Sequence, residues 1–97
     1  MNDKAIRNIL IAYLEGIHHK IRIYQEKSIG TSICDVMAVT DRLTGYEIKS
    51  DLDNYFRLAG QNKKHMTGSL TKNYLVVSKS HCQSAQYHVP NHWGILC

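Results

Sequence analysis

The sequence predicts a single mixed α/β domain, and three patterns carry that prediction. An early run has apolar residues at helical spacing, the stretch after it alternates as strands around short turns, and a second helix signal then precedes another apolar strand. At 97 residues with 43% apolar content, the chain has room for one domain and one modest core.

Lys4 to Gly16 reads as the first helix, because Ile6, Ile9, Leu10, Tyr13 and Leu14 recur at helical spacing, Asn2 or Asp3 caps it and Gly16 stops it. Lys20 to Gln25 alternates as Lys-Ile-Arg-Ile-Tyr-Gln, the pattern of a half-buried strand, and Gly30 marks the turn after it. Ser32 to Thr40 is a nearly continuous apolar strand interrupted by Asp35. Asp41 to Gly45 reads as a hairpin turn and Tyr46 to Lys49 as a short third strand. Ser50 and Asp53 form a Ser-x-x-Asp start signal for a second helix, which should end between Gly60 and Met66. Tyr74 to Ser78 is a buried-type strand, Ser80 to Tyr87 a short helix, and His92 to Cys97 a last strand. The first three strands should form a meander, and the crossover helix permits a parallel neighbour for the third.

Charge is unevenly placed. All eight carboxylates lie between Asp3 and Asp53, while Arg57, Lys63, Lys64, Lys72 and Lys79 fall in the acid-free remainder, for a net charge of +4. A basic half suits a polyanionic partner such as nucleic acid. No stretch approaches the roughly 18 apolar residues of a membrane span, and the start lacks a secretory signal's apolar run. A cytoplasmic protein without a membrane partner is the expectation. The odd count of cysteines (Cys34, Cys82 and Cys97), without a CxxC pair, argues against a disulfide framework. A zinc site of Cys82, His88, His92 and Cys97 is the competing use of these residues, and Pro90 keeps its two histidines off a common helix face.

Two places put charge where a core should be. Alternation sets Asp35 on a strand face with Ile33 and Met37, where an unpartnered carboxylate would be costly. Alternation also sends Glu47 and Lys49 to one face and Tyr46 and Ile48 to the other. If the two strands pair, Asp35, Glu47 and Lys49 converge. Two carboxylates make a hard oxygen site for Mg²⁺ or Mn²⁺, and a lysine beside them can orient water and offset charge in phosphoryl transfer. The bland counterpart is a cross-strand salt bridge.

Asp35, an eleven-residue gap, and Glu47-x-Lys49 resemble the D-(X)n-(D/E)-x-K signature of the PD-(D/E)XK nucleases. The longer run Gly45-Tyr46-Glu47-Ile48-Lys49-Ser50, then Asp53, Arg57-Leu58 and Gln61, is similar to small stand-alone bacterial and phage proteins near the VRR-NUC branch. Tyr74 to Val77 and Val89-Pro90-x-x-Trp93-Gly94-Ile95 are similar to that family's later strands. The resemblance implies a restriction-endonuclease-like three-layer sandwich with a mixed sheet. It implies Asp35, Glu47 and the backbone carbonyl of Ile48 as ligands of Mg²⁺ or Mn²⁺, Lys49 as the catalytic lysine, and Gln61 as its support. Glu26 matches the family's earlier acid and is preferred to Glu15 for that place. Two departures stand out: Ile33 where the family has arginine, and Asn62 to Gly68 in place of an aromatic-rich helix end.

The function so implied is metal-dependent hydrolysis of nucleic-acid phosphodiesters, with DNA the expected substrate. Arg57, Lys63, Lys64 and Lys72 are the candidates for holding its backbone. The rival is a nucleic-acid-binding module on the same fold without turnover, and a plain scaffold would leave Asp35 unexplained. A core this small offers little surface for a duplex, which gives a reason for a homo-oligomer.

Overall fold

A computed structural model describes residues 2–18, 20–29, 32–50, 72–87, 89 and 92–97. The expected helix after Ser50, with Asp53, Arg57, Gln61, Lys63 and Lys64, lies outside the described residues.

Helix α1 spans Asp3–Ile17, and the Asn2 side chain caps it by accepting the Ala5 N–H at 2.8 Å. Its buried stripe is Ile6, Leu10 and Leu14, while Ile9 and Tyr13, expected on that same stripe, are more than half exposed. The strip that packs is therefore narrower than the apolar pattern. Strands β1 (Arg22–Ile29), β2 (Ser32–Val39) and β3 (Leu43–Ile48) follow, then β4 (Lys72–Val76) and β5 (Gly94–Leu96). Between β4 and β5 come a 3₁₀ turn at Lys79–His81 and a short helix α2, Cys82–Ala85.

The five strands form one sheet in the order β1-β2-β3-β4-β5. The first two pairings are antiparallel, and β3–β4 and β4–β5 are parallel. This is the meander and parallel neighbour that the sequence predicts. The hairpin turn is shorter than its composition suggests. Thr44 and Gly45 belong to β3, where Gly45 pairs with both Met37 and Asn73.

Alternation then sorts the core into two layers. On one face Val36, Ala38, Tyr46, Ile48 and Val76 pack beneath Ile6, Leu10 and Leu14 of α1. On the other, Met37, Leu75 and Val77 pack with Cys34, Ala85 of α2 and Trp93. The sheet thus lies between α1 and α2. A bond from Ser50 N–H to Asp3 Oδ1, at 2.9 Å, ties the start of α1 to the end of β3.

One expectation is corrected here. Cys82 and Cys97 form a disulfide, with Cα atoms 5.7 Å apart, linking α2 to the residue after β5. Odd cysteine count and missing CxxC spacing carry no information about two residues that a crossover returns to the same place. The bond also uses both thiols of the zinc alternative, whose His88 lies outside the described residues. Cys34 stays a free thiol, buried as its apolar neighbours suggest. Among the described residues, no helix is long and apolar enough to cross a membrane.

Candidate active site

The β2–β3 ladder runs from Val39↔Leu43 to Val36↔Tyr46 and stops there, so the next positions, Asp35 and Glu47, stand where the strands part. In place of the next ladder bond, the Asp35 carboxylate reaches across: Ile48 N–H donates to Asp35 Oδ2 at 2.9 Å. On the outer side, the β1–β2 register holds on either side of Asp35 but skips its pairing with Glu26. Glu26 has φ 52°, a left-handed conformation that non-glycine residues seldom adopt. Asp35 therefore occupies a deliberate break in the sheet. Strict alternation fails at this point, because Cys34 packs with Met37, while Val36 lies on the opposite face.

Glu47 is held by pairing on its other side. It stands opposite Leu75 of β4, between Tyr46 and Ile48 beneath α1, so its side chain takes the face away from α1. That side chain is only 3% exposed. Asp35 is its immediate neighbour and acts on its carboxyl through both charge and polar groups. Burial pushes the Glu47 pKa up to about 8, the adjacent Asp35 charge adds to the rise, and Lys49 pulls it back. Glu47 Oε1 is buried with no hydrogen-bond partner among the described residues. Lys49 continues the strand, its N–H bonded to the Val76 carbonyl at 3.0 Å, with its side chain half-buried.

The structure therefore brings Asp35, Glu47 and Lys49 together, Glu47 by its place between Tyr46 and Ile48 and Asp35 by the break in the β1–β2–β3 ladder. The pair carries a charge deficit: two carboxyls in contact, one oxygen buried and unpartnered. A divalent cation fits that donor set, since hard oxygens and a compensating charge are what the pair offers and lacks. Among the described residues no group of three or more His, Cys, Asp or Glu could hold a metal. Remaining positions would fall to backbone oxygens, water and substrate, as is usual for Mg²⁺.

Two candidates are not brought to this place. Glu26 does not complete the site: its side chain is mostly exposed and pairs with Arg7 of α1 at 3.6 Å. The left-handed kink turns it toward the helix-covered face, away from the carboxyl pair. Lys72 opens β4 opposite Thr44, in alternation with Tyr74 and Val76, which places it on the α1 face and three residues short of the level of Glu47. It cannot flank the carboxyls. Gln61, Arg57, Lys63 and Lys64 lie outside the described residues.

Sequence reasoning also passed over a surface feature. A cavity of about 500 Å³ is lined by His18, Lys20, Arg22, Val39, Thr40 and Asp41. The signal for it was in the strand pattern itself, since Lys20, Arg22 and Tyr24 alternate with Ile21 and Ile23 and so must share the face that Ile21 and Ile23 leave.

Comparison with known proteins agrees with the architecture. The crystal structure of a repair endonuclease from Pyrococcus abyssi superposes with a TM-score of 0.60 at 18% identity, covering 99% of this chain and 46% of that one. The chain thus spans about half of that protein's length, and the likeness is one of fold. No curated protein matches. The family model described as bacteriophage P4 protein cII matches residues 1–97, and the chain belongs to that family.

Proposed function

We propose that this protein is a metal-dependent phosphodiesterase acting on nucleic acid, DNA in the first instance. The observation that carries the reading is the contact of Asp35 with buried Glu47 at a break in the sheet, with Lys49 beside them. A structural salt bridge would not require two acids in contact, because that arrangement raises the energy of the site unless a cation joins it. The endonuclease-like fold supports a nucleic-acid partner.

Asp35 and Glu47 would hold Mg²⁺ or Mn²⁺, with the Ile48 carbonyl as the further oxygen that the PD-(D/E)XK resemblance implies. The bound ion supplies positive charge to the phosphoryl oxygens and makes a water more acidic. Asp35 is fixed by the Ile48 N–H, so its second oxygen has a set direction without further ordering. Lys49, already close enough to act on the Glu47 charge, orients the attacking water and offsets negative charge as the phosphoryl group becomes five-coordinate. Gln61 is assigned to support the site, on the resemblance alone.

The test is a cleavage panel of plasmid, linear duplex, branched and single-stranded DNA, with RNA alongside, in Mg²⁺, Mn²⁺ and EDTA. Cleavage in either metal and none in EDTA is expected. Binding without cleavage of any substrate would replace this reading with that of a catalytically silent nucleic-acid-binding module.

A further inference from the structure

Edge strand β1 has an outer face with its own pattern. Arg22 stands opposite Val39 and Tyr24 opposite Met37, so both side chains lie on the face of Glu47 rather than beneath α1. Ile21 and Ile23 take the α1 side. Regular alternation would continue with Glu26 on the Tyr24 face and Lys27 on the other. The left-handed kink at Glu26 reverses both assignments. Glu26, the carboxylate of β1, is carried to Arg7 on α1, and the Lys27 ammonium comes to 5.5 Å from the centroid of the Tyr24 ring. The kink thus removes a negative charge from this face and adds a positive one.

The result is a row of Lys20, Arg22, Tyr24 and Lys27, all exposed, with Tyr24 38% accessible at its centre. At one end is the cavity of His18, Lys20 and Arg22. Asp41 also lines it, but its carboxylate is engaged by Thr40 Oγ1 at 2.9 Å. At the level of Lys27 the row reaches Cys34 and hence Asp35. Val39 to Asp35 is four residues along β2, about 13 Å.

We propose that β1 is a track for single-stranded nucleic acid: Lys20, Arg22 and Lys27 take phosphates, Tyr24 stacks an unpaired base, and the strand so held leads to the Asp35–Glu47 pair. This deepens the nuclease reading and rests on it for its destination, but the binding it describes needs no turnover. A half-exposed aromatic between cations at alternate strand positions is what a single strand uses, because bases present a π-face only when unstacked. A duplex would use the cations and leave the tyrosine idle. The competing role for such charge, protection of a sheet edge against pairing, needs neither the tyrosine nor one face.

Binding of a fluorescent oligothymidylate of about 20 nucleotides, and of a duplex of equal length, would be measured by anisotropy in EDTA across a salt series. The wild type should prefer the single strand. Tyr24→Ala should weaken it about tenfold and Tyr24→Phe should not. Lys20→Ala, Arg22→Ala and Lys27→Ala together should lower the salt slope by roughly 0.7 for each phosphate the protein no longer neutralises. Equal affinity for duplex and single strand, or unchanged affinity and slope in these variants with a native circular-dichroism spectrum, overturns the track. Track-dependent binding by a protein that cleaves nothing upholds the track and removes the nuclease reading alone. Cleavage of single strands that is indifferent to these substitutions does the reverse.

Discussion

Replacing Glu47 by glutamine should stabilise the metal-free protein, by an amount that grows with pH. The carboxyl is buried, touches Asp35, and titrates at about 8 where the ordinary value is 4.5. The folded state holds this proton more tightly than the unfolded state does. Its contribution to stability is therefore fully present below about pH 4.5 and is lost as pH rises through about 8. That gap is about 3.5 pH units, at about 1.4 kcal/mol each, so complete ionisation costs about 5 kcal/mol, of which about 3 kcal/mol has accrued by pH 7. Glutamine has nearly the same shape and does not titrate. Thermal melts in EDTA should show the variant well above wild type at pH 8, by roughly 10 °C or more for a domain of this size, and level with it near pH 4.5. Added Mn²⁺ should raise the wild-type melting temperature and leave the variant unmoved. Wild-type and variant curves that run parallel from pH 5 to pH 8 would refute the reasoning, because Glu47 would then be ionised and already paired.

Other expectations follow from the same structure. Lys49→Met should remove metal-dependent cleavage while leaving Mn²⁺ binding, read by calorimetry, within a few-fold, since the lysine is assigned to water and charge rather than to the ion. Thiol titration of the native protein should find no reactive cysteine: burial pushes Cys34 up to about 11, and Cys82 and Cys97 are joined. Denaturant should expose one thiol and reduction three. Cys97→Ser opens a loop with a sequence separation of 15 and should cost up to about 3 kcal/mol in a denaturant titration. Gly94→Ala should destabilise by about 1–3 kcal/mol, because a Cβ there would meet the ring of Tyr74, which is stacked on Tyr46 and has little room to yield.

The Glu47–Lys49 part of the candidate site was legible because it depends on strand alternation, a local property. Glu47, Ile48 and Lys49 needed only the period of two to separate acid and lysine from the apolar residue between them, and an apolar run broken by Asp35 needed only the cost of a buried charge. What alternation could not supply were its own exceptions. Glu26 was assigned to the site by motif position, and a single left-handed residue sent it to the other face. Lys72 was grouped with its neighbours by charge, whereas pairing set it on the α1 face of the sheet, exposed and three residues short of the level of Glu47. The disulfide depends on where a crossover returns the chain, which spacing along the sequence does not encode. Ile9 and Tyr13 fit the apolar stripe of α1 yet stay exposed, because periodicity marks a face without saying how wide a surface the sheet presents to it.

The measurement that bears most directly on the central claim compares wild type and Asp35→Asn, purified identically, for cleavage of single-stranded and plasmid DNA in Mn²⁺. The substitution keeps an acceptor for the Ile48 N–H and removes one charge from the carboxyl pair, so the fold should persist. Cleavage by the wild type that EDTA abolishes and the asparagine variant lacks is the predicted result. Equal cleavage by both proteins would show that Asp35 and Glu47 are not the site of the chemistry.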